Sequence, residues 1–295
     1  MELQLLRYFL EAAKELNITR TAAKFHVAQP AMSKQLGKIE RELGRKLYVR
    51  EQHGIRLTPD GILFRKRAQE IVDLEEKTLA EFAQDNTQAI SGTVYIGAGE
   101  TAGVHHIGRV LRQLRTEYPG INYRMISGDF EDVAEKLGKG LIDFGLFVGK
   151  ISLKDYDCVA LPESDRWGAI VRTDDVLADR ESVSPSDLIG RELLFSHQAQ
   201  TQGEFSEWLG FRTDQLNITG THNLAYNASV MVREGLGILI TIDGIISTGD
   251  KSGLRFIPLM PEIRAGLVLA WKKDAILSKA AQAFRKSFIA SLQES

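Results

Sequence analysis

Two i, i+4 pairs of polar side chains follow one another between positions 29 and 38: Gln29 with Ser33, and Lys34 with Lys38. Each type has a use at a nucleic-acid groove. A glutamine amide can hold an adenine edge with two hydrogen bonds, a serine hydroxyl can meet a base edge or a phosphate, and ammonium groups supply positive charge. Met32, Leu36, Ile39 and Leu43 form an apolar stripe through the same stretch, which leaves the lysines on the side away from a core. A plain solvated helix face has the same composition, and the residues by themselves leave both readings open.

Elsewhere the reactive residue types do not converge. The run GAGETAG at 97–103 offers Gly97, Gly99 and Gly103, where backbone can approach a ligand, ahead of a helix whose first N–H groups are free for an anion. It falls short of a dinucleotide fingerprint: Ala102 stands where the third glycine belongs, and no acidic residue closes a following strand at the required distance. His105, His106, His197 and His222 include no i, i+4 pair and have no cysteine partner, so solvated or structural roles are expected rather than a metal site. Cys158, the one cysteine, has no thiol to pair with and no base beside it in sequence, and reads as a buried structural residue. No Ser-His-Asp order, nucleophile elbow or phosphate loop occurs. Neither a cofactor nor catalysis is expected.

The elements that must position these groups are legible from periodicity. Leu6, Phe9, Ala13 and Leu16 mark an amphipathic helix over 3–16. A short second helix, TRTAAKF, starts with Thr19 as its cap; His26, Val27 and Ala28 make a tight turn; Pro30 sits in the first turn of a third helix, which Gly44 ends. Two short helices so joined are a helix-turn-helix. Residues 47–50, a polar loop at 51–54 and residues 55–57 read as strand, loop, strand, which is a wing. Thr58 and Pro59 open a helix free of breakers from Gly61 to about Asn86, spanning roughly 40 Å. With Phe64, Ile71 and Thr78 at one heptad position and Ala68, Glu75 and Phe82 at the other, four of six are apolar, which suits pairing with a second copy. The alternative is a helix lying on its own domain.

From Gly92 apolar strands alternate with amphipathic helices, the sign of a parallel sheet covered on both faces. Strands are expected at 93–97, 123–126, 142–148, 167–171, 193–195, 218–220, 238–242 and 268–271, with helices around Ile107, Val133, Met231 and Phe284. Two such lobes with the chain crossing between them enclose a cleft suited to a small ligand.

Composition agrees with this division. With 43% hydrophobic and 26% charged residues and no apolar run of about eighteen, the chain reads as soluble and cytoplasmic, without a membrane span or signal peptide. Its 295 residues exceed one ordinary domain. Net charge is only −2, yet residues 1–58 hold 11 Lys and Arg against 6 Asp and Glu, whereas residues 91–295 hold 22 against 26. A basic head on an acidic body is the electrostatic footprint of a DNA-binding module joined to a domain that avoids DNA.

The run TRTAAKFHVAQPAMSKQLGKIERELGRKLYVREQHGIRLTPDG resembles the N-terminal signature of LysR-type transcriptional regulators, and the later pieces LIDFGLFVG and MVREGLGI agree with that family's layout. The resemblance implies an α plus α/β chain. Its parts would be a winged helix-turn-helix at 1–58, a linker and dimerisation helix at 59–90, and a two-lobed periplasmic-binding-protein-like effector domain at 91–295. One lobe would take about 91–161 plus 266–295 and the other about 162–265. It further implies a homodimer joined through linker helices, usually paired into a homotetramer, that binds double-stranded promoter DNA and responds to a small-molecule effector. RNA polymerase is a further candidate partner.

Carried over by position, Gln29, Pro30, Ser33, Lys34 and Lys38 would meet DNA from the third helix, and Arg50 and His53 from the wing. Ala28 stands where the family usually caps this helix with serine or threonine, a loss of about 1 kcal/mol. His53 stands where the wing often has arginine, and is a weaker, pH-dependent cation. Loops at equivalent places would draw on Glu100, Thr101, Ser127, Gly128, Phe147, Ser196, His197 and Asn227 for the effector. Glu100, a carboxylate at a helix start, would repel anions and favour a cationic or hydroxyl-bearing effector. The rivals are an enzyme on a binding-protein-like scaffold, which needs converging acid and base groups, and a regulator that takes no ligand.

Overall fold

A computed structural model of the chain describes residues 1–82, 90–149, 154–196, 203–209, 216–249 and 251–293. The chain forms two compact units, Met1–Ala83 and Gln84–Ser295.

In the first unit, helices α1 (Leu3–Glu15), α2 (Ile18–Lys24) and α3 (Gln29–Leu43) lead into a hairpin of β1 (Tyr48–Glu51) and β2 (Gly54–Leu57), then α4 (Pro59–Phe82). The apolar stripes meet in one core, where Phe9, Met32, Leu36, Ile39 and Leu47 are fully buried. The cap of α2 is Asn17, whose Oδ1 accepts the Arg20 N–H at 3.0 Å; Thr19, the expected cap, lies inside the helix. Asn17 has the extended backbone from which a short side chain reaches the free N–H groups of a first turn, and Thr19 does not. His26 makes the turn with φ 54°, and Gly44 ends α3 with φ 64°.

The wing is fastened to the helices by backbone. Ile55 N donates to Leu16 O at 2.8 Å, and a Cβ on Gly54 would sit 2.2 Å from that same carbonyl oxygen. Buried Glu40 on α3 accepts from Leu47 N at 2.9 Å and from Lys46 Nζ at 2.8 Å, so α3 dictates where β1 begins.

Helix α4 divides the expected heptad between its own core and the surface. Thr58 Oγ1 accepts from Gly61 N at 3.0 Å, as a helix cap should. Phe64 and Ala68, one from each expected heptad position, are buried with Val72 in the core of their own unit, and Glu75 pairs with Arg7 of α1 at 2.8 Å. Packing on α1 uses up that stripe. The large apolar residues α4 leaves exposed within this unit are Ile62, Leu63, Ile71, Leu74, Leu79 and Phe82, so Ile71 and Phe82 of the expected heptad stay outward.

The second unit runs β3 (Gly92–Ala98), α5 (Val104–Glu117), β4 (Ile121–Ser127), α6 (Phe130–Gly138), β5 (Phe144–Val148) and β6 (Tyr156–Arg172). It continues with β7 (Glu192–Ser196), α7 (Gly203–Leu209), β8 (Asn217–His222), α8 (Ala225–Arg233), β9 (Ile238–Ile242), β10 (Leu254–Pro258), β11 (Arg264–Lys272) and α9 (Lys279–Gln293). The strand order is β4-β3-β5-β11-β6-β9-β7-β8, with β10 also on β6. Strands β3, β4 and β5 pair in parallel, as do β7, β8 and β9, while β6 and β11 are antiparallel to their neighbours.

Long β6 is the main departure from expectation. A separate strand was expected at 167–171; instead one strand pairs with β11 from Tyr156 and with β9 and β10 beyond Trp167. It thus runs through two lobes, whose separate cores hold Phe144, Phe284 and Phe288 on one side and Val183, Phe195 and Ile240 on the other. Cys158 lies on β6 and is exposed, not buried, because the strand's alternation turns it outward there.

Candidate nucleic-acid interface and ligand cleft

Helix α3 turns Met32, Leu36 and Ile39 inward and leaves Pro30 and Lys34 exposed, with Gln29, Ser33 and Lys38 half-buried along its outer edge. The wing supplies Arg50 and His53, both exposed. Arg50 Nη2 donates to Ser33 Oγ at 2.8 Å, which joins the wing to the first turns of the helix and aims a guanidinium beside it. Lys38 does not present a free charge: its ammonium donates to Glu2 Oε1 at 2.7 Å, and that contact holds the Glu2 carboxyl below the usual carboxylate range. Nothing local in the sequence links positions 2 and 38. Ala28 precedes α3 with extended backbone and no side-chain cap.

In the second unit a cleft of about 70 Å³ opens at the carboxyl ends of the parallel strands, well above the 10–15 Å³ that one water needs. Gly99 and Glu100 follow β3, Gly128 and Asp129 follow β4, Phe147 is next to last in β5, Ser196 ends β7, and His222 ends β8. Phe130 stands 5.3 Å from Phe147, ring centre to ring centre, and Trp167 of β6 and Thr241 of β9 complete the walls. Glu100 spans the lobes: its Oε2 accepts the backbone N–H of Ala225, the first residue of α8, which otherwise has no side-chain cap. His222 is the opposite case. Both of its ring nitrogens are buried without a hydrogen-bond partner, and burial pushes its pKa below the ordinary value.

Of the expected cleft residues, Glu100, Gly128, Phe147 and Ser196 line this space. Thr101 does not; it is buried in the loop, donating to Asp165 Oδ2 and accepting from Gly103 N at 3.0 Å. Burial raises the pKa of Asp165 above its ordinary value. Ser127 faces a neighbouring groove with His105 and Arg112, and Asn227 is exposed on the outer side of α8 near Met231. His197 lies outside the described residues. Sequence reasoning missed Asp129, Phe130, His222 and Thr241, although each sits at or beside the carboxyl end of a recognisable strand, and Trp167, which lies inside β6. His106 has a structural place, with Nε2 2.9 Å from Ser291 Oγ and Nδ1 3.2 Å from Glu163.

Two family descriptions match nearly the whole chain: bacterial regulatory helix-turn-helix protein of the lysR family over residues 3–62, and LysR substrate binding domain over residues 87–293. The chain belongs to the LysR family of transcription regulators. As a member it is a DNA-binding regulator with an effector-binding domain. Its relatives include the Hca operon transcriptional activator HcaR of Escherichia coli, 26% identical over all of this chain and 98% of that one. The regulator IlvY of Escherichia coli is 30% identical over 50% of this chain and 49% of its own. Full-length CbnR in complex with its target DNA has the same fold, with TM-score 0.75 and 18% identity over 99% of this chain and all of that one. Full-length BenM follows with TM-score 0.55 and 22% identity over all of this chain and 97% of that one. In this LysR-family chain the two unusual residues of the DNA-binding module, Ala28 and His53, leave the fold of that module intact.

Proposed function

We propose that α3 enters a major groove of double-stranded promoter DNA with Gln29 and Ser33 at base edges and Pro30, Lys34 and Lys38 toward the backbone, while Arg50 and His53 of the wing meet adjoining phosphates. One observation carries this reading: α3 buries its apolar stripe in its own core and keeps its polar edge outside, with Arg50 anchored on Ser33. The working arrangement is a winged module at 1–58, a linker at 59–90 and an effector domain at 91–295, with lobes near 91–161 plus 266–295 and 162–265. The protein acts in the cytoplasm as a homodimer joined through linker helices and paired into tetramers, with RNA polymerase as a further partner at the promoter.

The effector occupies the cleft beside Glu100, Gly128, Phe147 and Ser196 and changes DNA affinity by about 1–3 kcal/mol, which is enough for a switch. Catalysis is no part of this reading. Among the described residues of the cleft, Glu100 and Asp129 each accept a backbone N–H at a helix start, which leaves His222 as a lone titratable group without a partner.

Footprinting on the gene's own upstream region tests the reading. Native protein should protect half-sites about 34 Å apart or a multiple of it, and Gln29→Ala should relax base preference at one position per half-site. Footprints unchanged by both Gln29→Ala and Lys34→Ala would show that α3 is not the reading helix.

A further inference from the structure

Resting on the reading of the cleft as a ligand site, we propose that its ligand is an organic cation, an ammonium group on an aromatic or apolar body, and that anions are excluded. Three observations lead there. The first is charge. Two carboxylates, Glu100 and Asp129, line the cleft, and no lysine or arginine does so among the described residues. Each carboxylate commits one oxygen to a backbone N–H, Glu100 to Ala225 and Asp129 to Asp132, and the second oxygen of each makes no hydrogen bond. Two half-used carboxylates in a partly enclosed space favour a positive guest.

The second observation is the place an anion would take. The start of α8 offers backbone N–H groups and the positive end of a helix dipole to the cleft, the usual seat for a carboxylate or phosphate. Glu100 from the other lobe already fills it. A carboxylate ligand would have to displace a tethered carboxylate whose effective concentration is high, and would then lie against its charge.

The third is what the remaining walls lack. His222 has two buried nitrogens with no partner; burial favours its neutral form, which offers one acceptor nitrogen to a donor on the ligand. Phe130, Phe147 and Trp167 supply ring faces and edges for an apolar body and for cation–π contact. An ammonium group has three donors and no acceptor, which matches two spare carboxylate oxygens and one imidazole nitrogen.

The test uses the full chain labelled with 5-fluorotryptophan, whose three tryptophans give separate fluorine signals; Trp167→Phe assigns the one in the cleft. The probes are benzylammonium, benzyl alcohol and benzoate, one shape with three charges. Benzylammonium should shift the Trp167 signal saturably and bind about tenfold tighter than the alcohol, while benzoate leaves the signal in place. In Glu100→Gln that preference should shrink to about threefold or less, and in Glu100→Ala, which frees the start of α8, benzoate should begin to bind. Unshifted Trp208 and Trp271 signals in each variant show that the fold is intact. Benzoate binding to the native protein as tightly as benzylammonium, or equal binding of all three probes, overturns the cation assignment and leaves the cleft reading standing. A Trp167 signal that no probe moves overturns the cleft reading and the assignment with it.

Discussion

Arg50, on the wing, reaches across to α3 and donates a hydrogen bond of 2.8 Å to the hydroxyl of Ser33. A guanidinium has five donors, and this bond uses one; the rest of the fork stays free for phosphate oxygens. Ser33 therefore has two uses, as a possible base contact and as the anchor of the wing's cation. Arg50→Ala should lower the slope of log affinity against log salt by about one, since each neutralised phosphate releases about 0.9 counterions. Ser33→Ala should weaken binding through Arg50 without changing that slope as much. Fluorescence anisotropy of a labelled operator duplex over a salt series measures both, and equal slopes for native protein and Arg50→Ala would remove Arg50 from the DNA contacts.

Under the proposed docking of α3, Glu2 and DNA compete for Lys38. The ion pair is 2.7 Å long, with the Lys38 and Glu2 side chains 43% and 69% exposed, so it is worth only about 0.2–1 kcal/mol and breaks easily. Glu2→Gln should release the ammonium and tighten operator binding by up to about fivefold at low salt, with the gain fading as salt rises. Binding that is weaker or unchanged in this variant would mean that Lys38 stays away from the backbone.

The uncapped start of α3 invites a gain in stability. Ala28 has the extended backbone of a capping residue and no side-chain oxygen to use it. Ala28→Ser should stabilise the DNA-binding unit by about 0.5–1 kcal/mol, read as a higher midpoint in urea unfolding of the full chain. A drop in the midpoint would mean that the methyl group of Ala28 is needed for packing.

Glu40 has a harder task, because it is buried and holds the Leu47 N–H. Glu40→Ala strands that donor away from water and should cost about 1–3 kcal/mol. Glu40→Gln keeps an acceptor and should cost less than half as much. Equal losses in urea unfolding would assign the effect to the lost charge pair with Lys46 instead.

Burial depresses the pKa of His222, and the sign of the consequence follows. Above about pH 6.5 the imidazole is neutral in both folded and unfolded chains and contributes no pH dependence. As pH falls below that point the unfolded chain takes up the proton first, so the folded state loses stability until its own, lower pKa is passed. Thermal unfolding at a series of pH values should show a steeper loss as pH falls below about 6.5 for the native chain than for His222→Asn. Parallel curves would place His222 in water.

Much of this protein was legible in its sequence, because the signals involved are local. Apolar residues three and four apart named α1 and α3, the glycine after Leu43 ended α3, Thr58 and Pro59 opened α4, and alternating strands and helices announced the α/β unit. The run from Thr19 to Gly61 carried the family likeness unaided. Half of the expected cleft residues line the cleft for the same reason: Phe147 and Ser196 stand at or next to the ends of strands, and Glu100 and Gly128 follow just after one.

What only the tertiary structure decided are pairings between residues distant in the chain, which no periodicity encodes. Glu2 with Lys38, Arg50 with Ser33, Arg7 with Glu75 and Glu100 with the start of α8 depend on how elements pack. The heptad on α4 divides because a repeat of seven shows that a stripe is apolar and cannot show which partner buries it; the core of its own unit took Phe64 and Ala68, and Ile71 and Phe82 stay exposed. Thr101 and Asn227 have the right chemistry for a ligand, yet a single loop turned one toward Asp165 and one helix face turned the other outward. His222, an unremarkable strand residue by sequence, became the cleft's unpartnered imidazole because burial removed its water without supplying a replacement.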